Sequence, residues 1–275
     1  MKRLIKIEFN KIRYHKASLR LITCYFLLFP ILLLFSGMEL NFGGLSTTFK
    51  ELKVMEFPLI WHFGTYIVLY LKFLLLIVVV SSITGEYSHN TLKQNLIDGL
   101  SKKEFLISKV YMLILLSLLS VVIAFLTFLF IGLKNSEILD VSLIFSELDY
   151  FLGYFVRLVG FLIFGVFVAI LFRRSALSIG FMFIWWISEG IIKVALTKSL
   201  GEIGSKISSF LPFQSLNNTV SEPFHRIQFV QVVSEQLGSD IDFAHGVHYL
   251  PMLISIFWSI ILFFMSYRVL ERRDL

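Results

Sequence analysis

Four charged side chains lie within or at the edges of long apolar runs of the sequence: Lys72, Arg157, Glu189 and Lys193. A charged group inside a membrane is energetically costly, so such residues line a pathway, pair with each other or reach for the interface. Glu189 and Lys193 are four residues apart, a spacing that lets side chains pair on one helical face. These four residues are therefore candidates for a pathway role, although snorkelling to the interface is sufficient to explain Arg157 and Lys193.

The sequence has no motif with which the chain could catalyse a reaction of its own. It lacks the G-x-x-x-x-G-K-[ST] phosphate loop, so we do not expect it to hydrolyse ATP. It also lacks an H-E-x-x-H or paired-cysteine zinc motif, and Cys24 is its single cysteine. His245 and His248 could share one helical face, but a pair without further ligands does not predict a metal site. We predict that the chain is not an enzyme, with no catalytic residues, metal or cofactor.

The composition predicts a membrane protein rather than a soluble one. Of the 275 residues, 57% are hydrophobic and 16% charged, and the mean hydropathy is +0.81. Soluble domains carry about a quarter charged residues. The apolar residues form six runs suited to a helix that crosses the ~30 Å hydrocarbon core, which needs roughly 20 residues. We predict an all-α polytopic membrane protein with spans at Leu21–Met38, Phe63–Ile83, Val110–Leu133, Tyr150–Phe172, Ala176–Leu196 and Tyr249–Tyr267.

The positive charges indicate how the spans are oriented. The formal net charge is +6 and the pI about 9.3, values also typical of nucleic-acid-binding proteins. With six spans, however, 16 of the 25 Lys and Arg residues lie on the side of the two termini and 7 on the other side. Cationic residues collect on the cytoplasmic side of membrane proteins. We therefore predict an inner-membrane protein with both termini in the cytoplasm and no nucleic-acid partner.

This topology makes the whole chain, residues 1–275, one transmembrane domain. We predict a cytoplasmic helix at 1–20, five spans within 21–196, an extracytoplasmic segment at 197–248, the sixth span at 249–267 and a cytoplasmic tail at 268–275. The turn at Arg173, Arg174 and Ser175 is so short that spans four and five must form a tight antiparallel hairpin. The outer segment is rich in apolar residues, which favours re-entrant or interfacial helices over a small folded loop.

Residues 2–20 have the pattern of an amphipathic helix. Apolar side chains share one half of the helical wheel: Leu4, Ile5, Phe9 and Ile12. Basic side chains share the other half: Lys2, Arg3, Lys6, Arg13 and Arg20. A basic amphipathic helix beside a span is typical of one that lies in the headgroup plane. The alternative is a positively charged flank that only orients the first span.

The cytoplasmic loop Gly85–Glu104 has the clearest local pattern. Its apolar residues recur at roughly helical spacing: Leu92, Leu96, Ile97 and Leu100. Gly99 is suited to stop such a helix, and Ser101-x-x-Glu104 is a capping box that opens the next one. We predict a short helix, a glycine break and a capped entry into span three. The apolar stripe of the short helix needs a cover, either the membrane surface or a partner protein.

This order of elements resembles the permease subunits of ABC-transporter type-2 exporters. In that family an amphipathic helix precedes six spans, a coupling helix joins spans two and three, and a long outer segment joins spans five and six. Residues 85–109 are similar to the family's loop at Glu86, Thr91-Leu92, Gly99, Ser101-Lys102-Lys103 and Lys109. The tail 271–275 is also similar to family C-termini. One departure is Asn90-Thr91, where the family often has Gly-Thr.

The resemblance implies the permease subunit of an ATP-binding-cassette exporter, which forms the path through the membrane. It implies a separate cytoplasmic ATPase that binds ATP and Mg, a second permease copy or paralogue, and contact with lipid. ATPase docking would then fall on the coupling helix, at Glu86, Ser88, Thr91, Leu92, Leu96, Ile97 and Leu100. The alternatives are an ion-coupled secondary transporter, an integral membrane enzyme acting on lipids and a membrane scaffold. The sequence does not predict the cargo.

Overall fold

The computed structural model describes residues 2–31, 39–42, 45–48, 52–137, 140–226 and 246–273. The helices in these residues are α1 Lys2–Tyr14, α2 Lys16–Ile31, α3 Leu59–Val68, α4 Lys72–Ser88, α5 Thr91–Ile97, α6 Lys102–Asn135, α7 Val141–Ile144, α8 Asp149–Phe172, α9 Ser175–Leu200, α10 Glu202–Ser208, α11 Pro212–Asn218 and α12 Tyr249–Glu271. Turns of 3-10 helix lie at Leu69–Leu71 and Pro223–Arg226, and two short strands are β1 Glu39–Phe42 and β2 Leu45–Thr48. The protein is therefore predominantly helical.

Several helical segments are long and apolar enough to cross a membrane. In the described part of the chain there are five: Leu59–Ser88, Lys102–Asn135, Val141–Phe172, Ser175–Ser208 and Tyr249–Glu271. They coincide with the predicted spans two to six. The predicted first span is covered by α2 up to Ile31, and its residues 32–38 lie outside the described residues.

A short β-hairpin is the exception among the described elements, which otherwise confirm the all-α prediction. Strands β1 and β2 pair antiparallel, with Glu39 opposite Thr48 and Phe42 opposite Leu45. The sequence places Gly43-Gly44 between the strands, and two consecutive glycines are a signal for a two-residue hairpin connection. Strands of four residues are too short to show a convincing alternation of apolar and polar residues, which is why the pattern favours no strand.

The helix predicted over residues 2–20 is broken at His15. Helix α1 ends at Tyr14, and α2 starts at Lys16 and continues into the first apolar run. Nδ1 of His15 accepts a hydrogen bond from the backbone amide of Ser18 at 3.2 Å and lies 2.7 Å from its hydroxyl oxygen. His15 thus caps the first turn of α2, and a side-chain cap at this point favours a new helix start. Residues 16–20 belong to the first apolar helix.

Helix α8 lies at the centre of the bundle because its small residues let neighbouring helices approach. A Cβ on Gly160 would lie 2.7 Å from Cδ2 of Leu216, closer than real contacts allow. A Cβ on Gly165 would likewise lie 2.5 Å from Cδ1 of Leu76. Helices α11 and α4 therefore pack so closely against α8 that a Cβ at either glycine would force a leucine side chain to move.

Three buried hydroxyl groups join α2, α6 and α8. The hydroxyl oxygen of Tyr25 lies 2.6 Å from that of Ser120 and 2.8 Å from that of Tyr154. The oxygens of Ser120 and Tyr154 are 2.5 Å apart, and all three side chains are buried. A buried hydroxyl is unfavourable without a hydrogen-bond partner. This shared network therefore attaches α2 to the rest of the bundle.

One end of the bundle, called the basic end below, comprises residues 2–16, 85–109, 172–175 and 268–273. The guanidinium of Arg273 donates to the carbonyl oxygens of Ile170 at 2.5 Å and Leu171 at 3.0 Å, near the end of α8. Lys102, at the start of α6, donates from Nζ to the carbonyl oxygen of Arg273 at 2.8 Å. These cations satisfy carbonyl groups that helix C-termini leave without partners. The predicted tight turn between α8 and α9 is present at the same end.

The connection between α4 and α6 folds as its sequence pattern predicts. The chain leaves α5 through Gly99, whose φ is +91° and whose amide donates to the carbonyl oxygen of Leu96 at 3.1 Å. The amide of Leu100 donates to the carbonyl oxygen of Asn95 at 2.9 Å. These two bonds form a Schellman motif. Helix α6 then starts with the predicted capping box.

Gly99→Ala should destabilise the protein by about 1 kcal/mol, because a Cβ is strained in a left-handed backbone conformation. Gly85→Ala is the matched control, since a methyl group meets open space at both positions but Gly85 lies inside α4. Alanine is favoured over glycine in a helix by up to about 1 kcal/mol. Thermal unfolding in detergent should show a lower Tm for Gly99→Ala alone, and an equal loss in both variants would contradict the turn's role.

Candidate functional site

A buried ammonium group joins three helices at the basic end. Lys109 of α6 is fully buried. Its Nζ donates to Oε2 of Glu8 in α1 at 2.8 Å and to Oε1 of Glu86 in α4 at 2.5 Å. Its third proton is directed at Oγ of Ser82, 3.0 Å away, so all three ammonium donors are used. Together with Lys11 of α1, these charged residues form what we call the ion cluster: Glu8, Lys11, Glu86 and Lys109.

Lys11 and Asn95 complete the surroundings of Glu86. Nζ of Lys11 lies 2.9 Å from Oε1 of Glu86 and 3.4 Å from Oε1 of Glu8. Nδ2 of Asn95 donates to Oε2 of Glu86 at 3.2 Å, which attaches α5 to the ion cluster. The two carboxylates and two ammonium groups balance in charge. Burial of charge is tolerated where every charge is paired and hydrogen-bonded, and this arrangement meets that condition.

Neighbouring charges decide the protonation of the two α1 residues in the ion cluster. Burial acts to raise the pKa of Glu8, but the charges of Lys109 and Lys11 outweigh it and hold that pKa below the usual value of 4.5. Burial acts to lower the pKa of Lys11, but Glu8 and Glu86 outweigh it and hold that pKa above the usual value of 10.5. Both side chains are therefore charged throughout the neutral pH range, and α1 stays attracted to the bundle.

The residues predicted to dock an ATPase divide into two sets in the structure. The inward set is buried or half-buried: Glu86, Leu92, Leu96 and Leu100. The outward set is exposed: Ser88, Thr91 and Ile97. Leu92 is only 2% exposed whereas Ile97 is 76% exposed. Most of the apolar stripe of α5 is thus covered by the chain itself, because α5 folds back onto α4, and Ile97 is the stripe residue that stays exposed.

Sequence reasoning misses Glu8 and treats Lys109 only as a basic residue of the loop that leads into span three. For each of these two residues, one feature of its position in the sequence indicates a specific role. Glu8 is the single acidic residue among the first 20, a position that favours a specific cationic partner. Lys109 lies two helical turns beyond the N-cap of α6, further inside the helix than a flanking charge needs to be. Neither feature indicates that the two residues meet.

Three of the four predicted pathway charges border one cavity of about 620 Å³. Lys72, Arg157 and Lys193 lie on its wall, together with Glu222. The guanidinium of Arg157 lies 5.5 Å from the ring centroid of Tyr66, and its Nε has no hydrogen-bond partner among the described residues. Arg157 is only 6% exposed. It is therefore held inside the protein, on the wall of the cavity, rather than on an exposed surface of α8.

Glu189 binds the start of α11 rather than Lys193. Its Oε2 accepts hydrogen bonds from the backbone amides of Phe213 at 2.9 Å and Gln214 at 3.0 Å. Its Oε1 accepts one from Nε1 of Trp185 at 2.6 Å. The ion pair that the spacing of Glu189 and Lys193 allows does not form among the described residues, and the side chain of Lys193 is exposed. A helix N-terminus offers amides without partners and the positive end of a dipole, and it attracts a carboxylate more effectively than an exposed ammonium does.

Glu8→Gln should lower the free energy of unfolding by about 2–3 kcal/mol, because the buried ammonium of Lys109 then loses one of its two carboxylate partners. Amide hydrogen exchange should accelerate more in α1 than in the other helices. Glu202→Gln is the control, since it removes an ion pair of the same length, 2.8 Å to Lys206, that is exposed to solvent. Such surface pairs contribute about 0–1 kcal/mol. Equal losses in the two variants would contradict a special role for the buried pair.

Glu189→Ala should lower the free energy of unfolding by about 1–2 kcal/mol, because two amides at the start of α11 lose their acceptor. Lys193→Ala should change it by less than about 0.5 kcal/mol, since the side chain is exposed and has no partner among the described residues. Thermal unfolding of both variants in detergent measures the difference. A comparable loss for Lys193→Ala would restore the rejected ion pair.

The sequence of the chain matches a known protein family. The sequence model of ABC-2 family transporter proteins matches residues 4–189, more than half of the chain. The matched region contains most of α1, all of α5 and the whole ion cluster. No curated protein matches the chain. The chain therefore belongs to the ABC-2 family of transporter proteins, and its apolar helices are those of a membrane permease.

Proposed function

We propose that this chain is the membrane-spanning subunit of an ATP-driven exporter and forms its path through the bilayer. Membership of the transporter family supports a role in transport. The sequence has no phosphate loop, so we assign ATP hydrolysis to a separate cytoplasmic ATPase. ATP and Mg bind to that partner, and this chain is neither an enzyme nor the holder of a cofactor. Two copies, or one copy and a paralogue, form the complete permease, as the resemblance to exporters implies.

In this proposal the chain crosses the cytoplasmic membrane six times. The predicted first span, Leu21–Met38, joins the five helical segments that are long enough to span. The basic end faces the cytoplasm, because cationic residues are concentrated on that side of membrane proteins. Helix α1 lies along the headgroup plane, with Phe9 exposed toward lipid while Glu8 faces the bundle. Helices α10 and α11 are the re-entrant or interfacial helices of the outer side.

The observation that carries the proposal is the attachment of α5 to the ion cluster. Asn95 of α5 binds Glu86, and Glu86 and Lys109 join α4 to α6. Glu8 adds α1 to the same group. A force on the outward face of α5 therefore acts on three further helices at once. We assign ATPase docking to that face, at Thr91 and Ile97, and to Ser88 at the adjoining end of α4, so that closure of the ATPases moves α4 and α6.

Ile97→Asp should reduce co-purification of the partner ATPase by about tenfold, because a charge replaces an exposed apolar contact in the docking face. The partner is the subunit with a phosphate-loop motif encoded by the neighbouring reading frame. Val141→Asp is the matched control, since Val141 is 68% exposed and lies at the opposite end of the bundle. Both variants are compared with the unmodified permease at equal amounts in isolated membranes.

Two results would overturn the proposal. Full association of the ATPase with Ile97→Asp would show that α5 is not the docking element. Transport of cargo by the purified chain alone, driven by an ion gradient without any nucleotide-binding partner, would favour a secondary transporter instead.

A further inference from the structure

We propose that the cavity bordered by Lys72 and Arg157 binds an anionic amphiphile, a molecule with a phosphate or carboxylate head and an apolar body. This proposal rests on the proposed permease function and names the chemical class of molecule in its path. The cavity volume of about 620 Å³ lies within the range of roughly 300–1,000 Å³ that is typical of small-molecule sites. Helices α4, α8 and α9 contribute to its wall together with residues 213–222.

The cations on the cavity wall have no anionic partner in the part of the chain that the structure describes. No ion pair joins Lys72, Arg157 or Lys193 to any described carboxylate. Glu222 also borders the cavity, but its side chain is exposed and leaves an excess of positive charge. A buried guanidinium with an unused donor is unfavourable in a membrane protein. A bound anion supplies the missing negative charge.

Aromatic rings form the apolar part of the same wall. Nζ of Lys72 lies 4.4 Å from the ring centroid of Phe161. The rings of Phe73 and Phe183 stack with their centroids 5.1 Å apart, and Trp186 borders the cavity as well. A ring face attracts an ammonium group less strongly than a carboxylate or phosphate does, so Lys72 remains available to an anion. The rings themselves are suited to an acyl chain or another apolar body.

The backbone of span two is irregular at this cavity. The 3-10 turn Leu69–Leu71 separates α3 from α4, and Lys72 is the first residue of α4. Short 3-10 stretches within long helices often mark functional hinges. The cavity thus lies at the break in span two. The cations on its wall have no carboxylate partner among the described residues, whereas the charges of the ion cluster are fully paired.

Binding of dodecyl phosphate to the full-length chain in a non-ionic detergent tests the proposal. Two compounds with an alkyl chain of equal length are the controls: dodecylphosphocholine has a zwitterionic head group, and dodecyltrimethylammonium has a cationic one. The fluorescence of Trp186, isolated by subtracting the signal of the Trp186→Phe variant, reports binding because this ring borders the cavity. We expect dodecyl phosphate to bind about tenfold more tightly than either control, since a charge-assisted hydrogen bond contributes to that extent.

Lys72→Met and Arg157→Met should each weaken binding of dodecyl phosphate by about tenfold and leave dodecylphosphocholine unaffected. Lys198→Met is the control, because Lys198 is an exposed cation of α9 that does not border the cavity. If Arg157→Met fails to fold, the Lys72→Met variant tests the proposal. Lys72 is only partly buried, so its replacement should disturb folding less. Equal binding of the three head groups, a preference for the cation, or unchanged binding in both folded variants would overturn the proposal.

The source of the anionic amphiphile is distinguished by competition with a short-chain phosphatidylglycerol. Displacement at lower concentration than dodecyl phosphate assigns the site to a lipid headgroup, and weaker displacement assigns it to a free amphiphile; both support an anionic site. The assay needs no ATPase. Failure of the unmodified chain to associate with the ATPase, with an intact anion preference, would overturn the proposed function alone. Intact association without an anion preference would overturn this inference alone.

Discussion

The buried ammonium of Lys109 is the constraint on which the basic end depends. It requires both carboxylates, and Glu8 and Glu86 come from helices that are far apart in the sequence. Helices α1, α4 and α6 can separate only if a charge remains buried without its partner, which costs about 3–5 kcal/mol. Asn95 extends the same constraint to α5. A displacement of any one of these helices is therefore shared by the other three.

The charged side chains of the ion cluster and those of the cavity wall differ in whether they have partners of opposite charge. In the ion cluster each charge has a partner, so the arrangement is rigid and leaves no charge available to bind an external ligand. On the cavity wall Lys72 and Arg157 face aromatic rings instead of carboxylates, so their charges are only weakly offset. Complete pairing is suited to an element that transmits motion, and incomplete pairing is suited to a site that recognises an anion.

The sequence predicts those features that depend on local interactions. The capping box at the start of α6, the turn at Gly99 and the apolar runs all involve residues within a few positions of each other. Long-range partners are not predictable in this way. Glu8 and Lys109 are 101 residues apart. Glu189 has an obvious local partner four residues away, yet amides 24 and 25 residues later bind it because they belong to a helix N-terminus. Lys72 and Arg157 are recognisable one by one, but only helix packing brings them to one cavity.

Helix α4 connects the two sites. Lys72 is its first residue and Glu86 lies fourteen positions later, which at the α-helical rise corresponds to about 21 Å. In the proposed exporter, a force on α5 shifts Glu86, and α4 carries the shift to Lys72, beyond which the 3-10 turn is the natural place to bend. An anion bound between Lys72 and Arg157 favours the state in which these cations are close, because it offsets their repulsion. Motion that separates them weakens binding of the anion, and an exporter needs that loss of affinity to release its cargo.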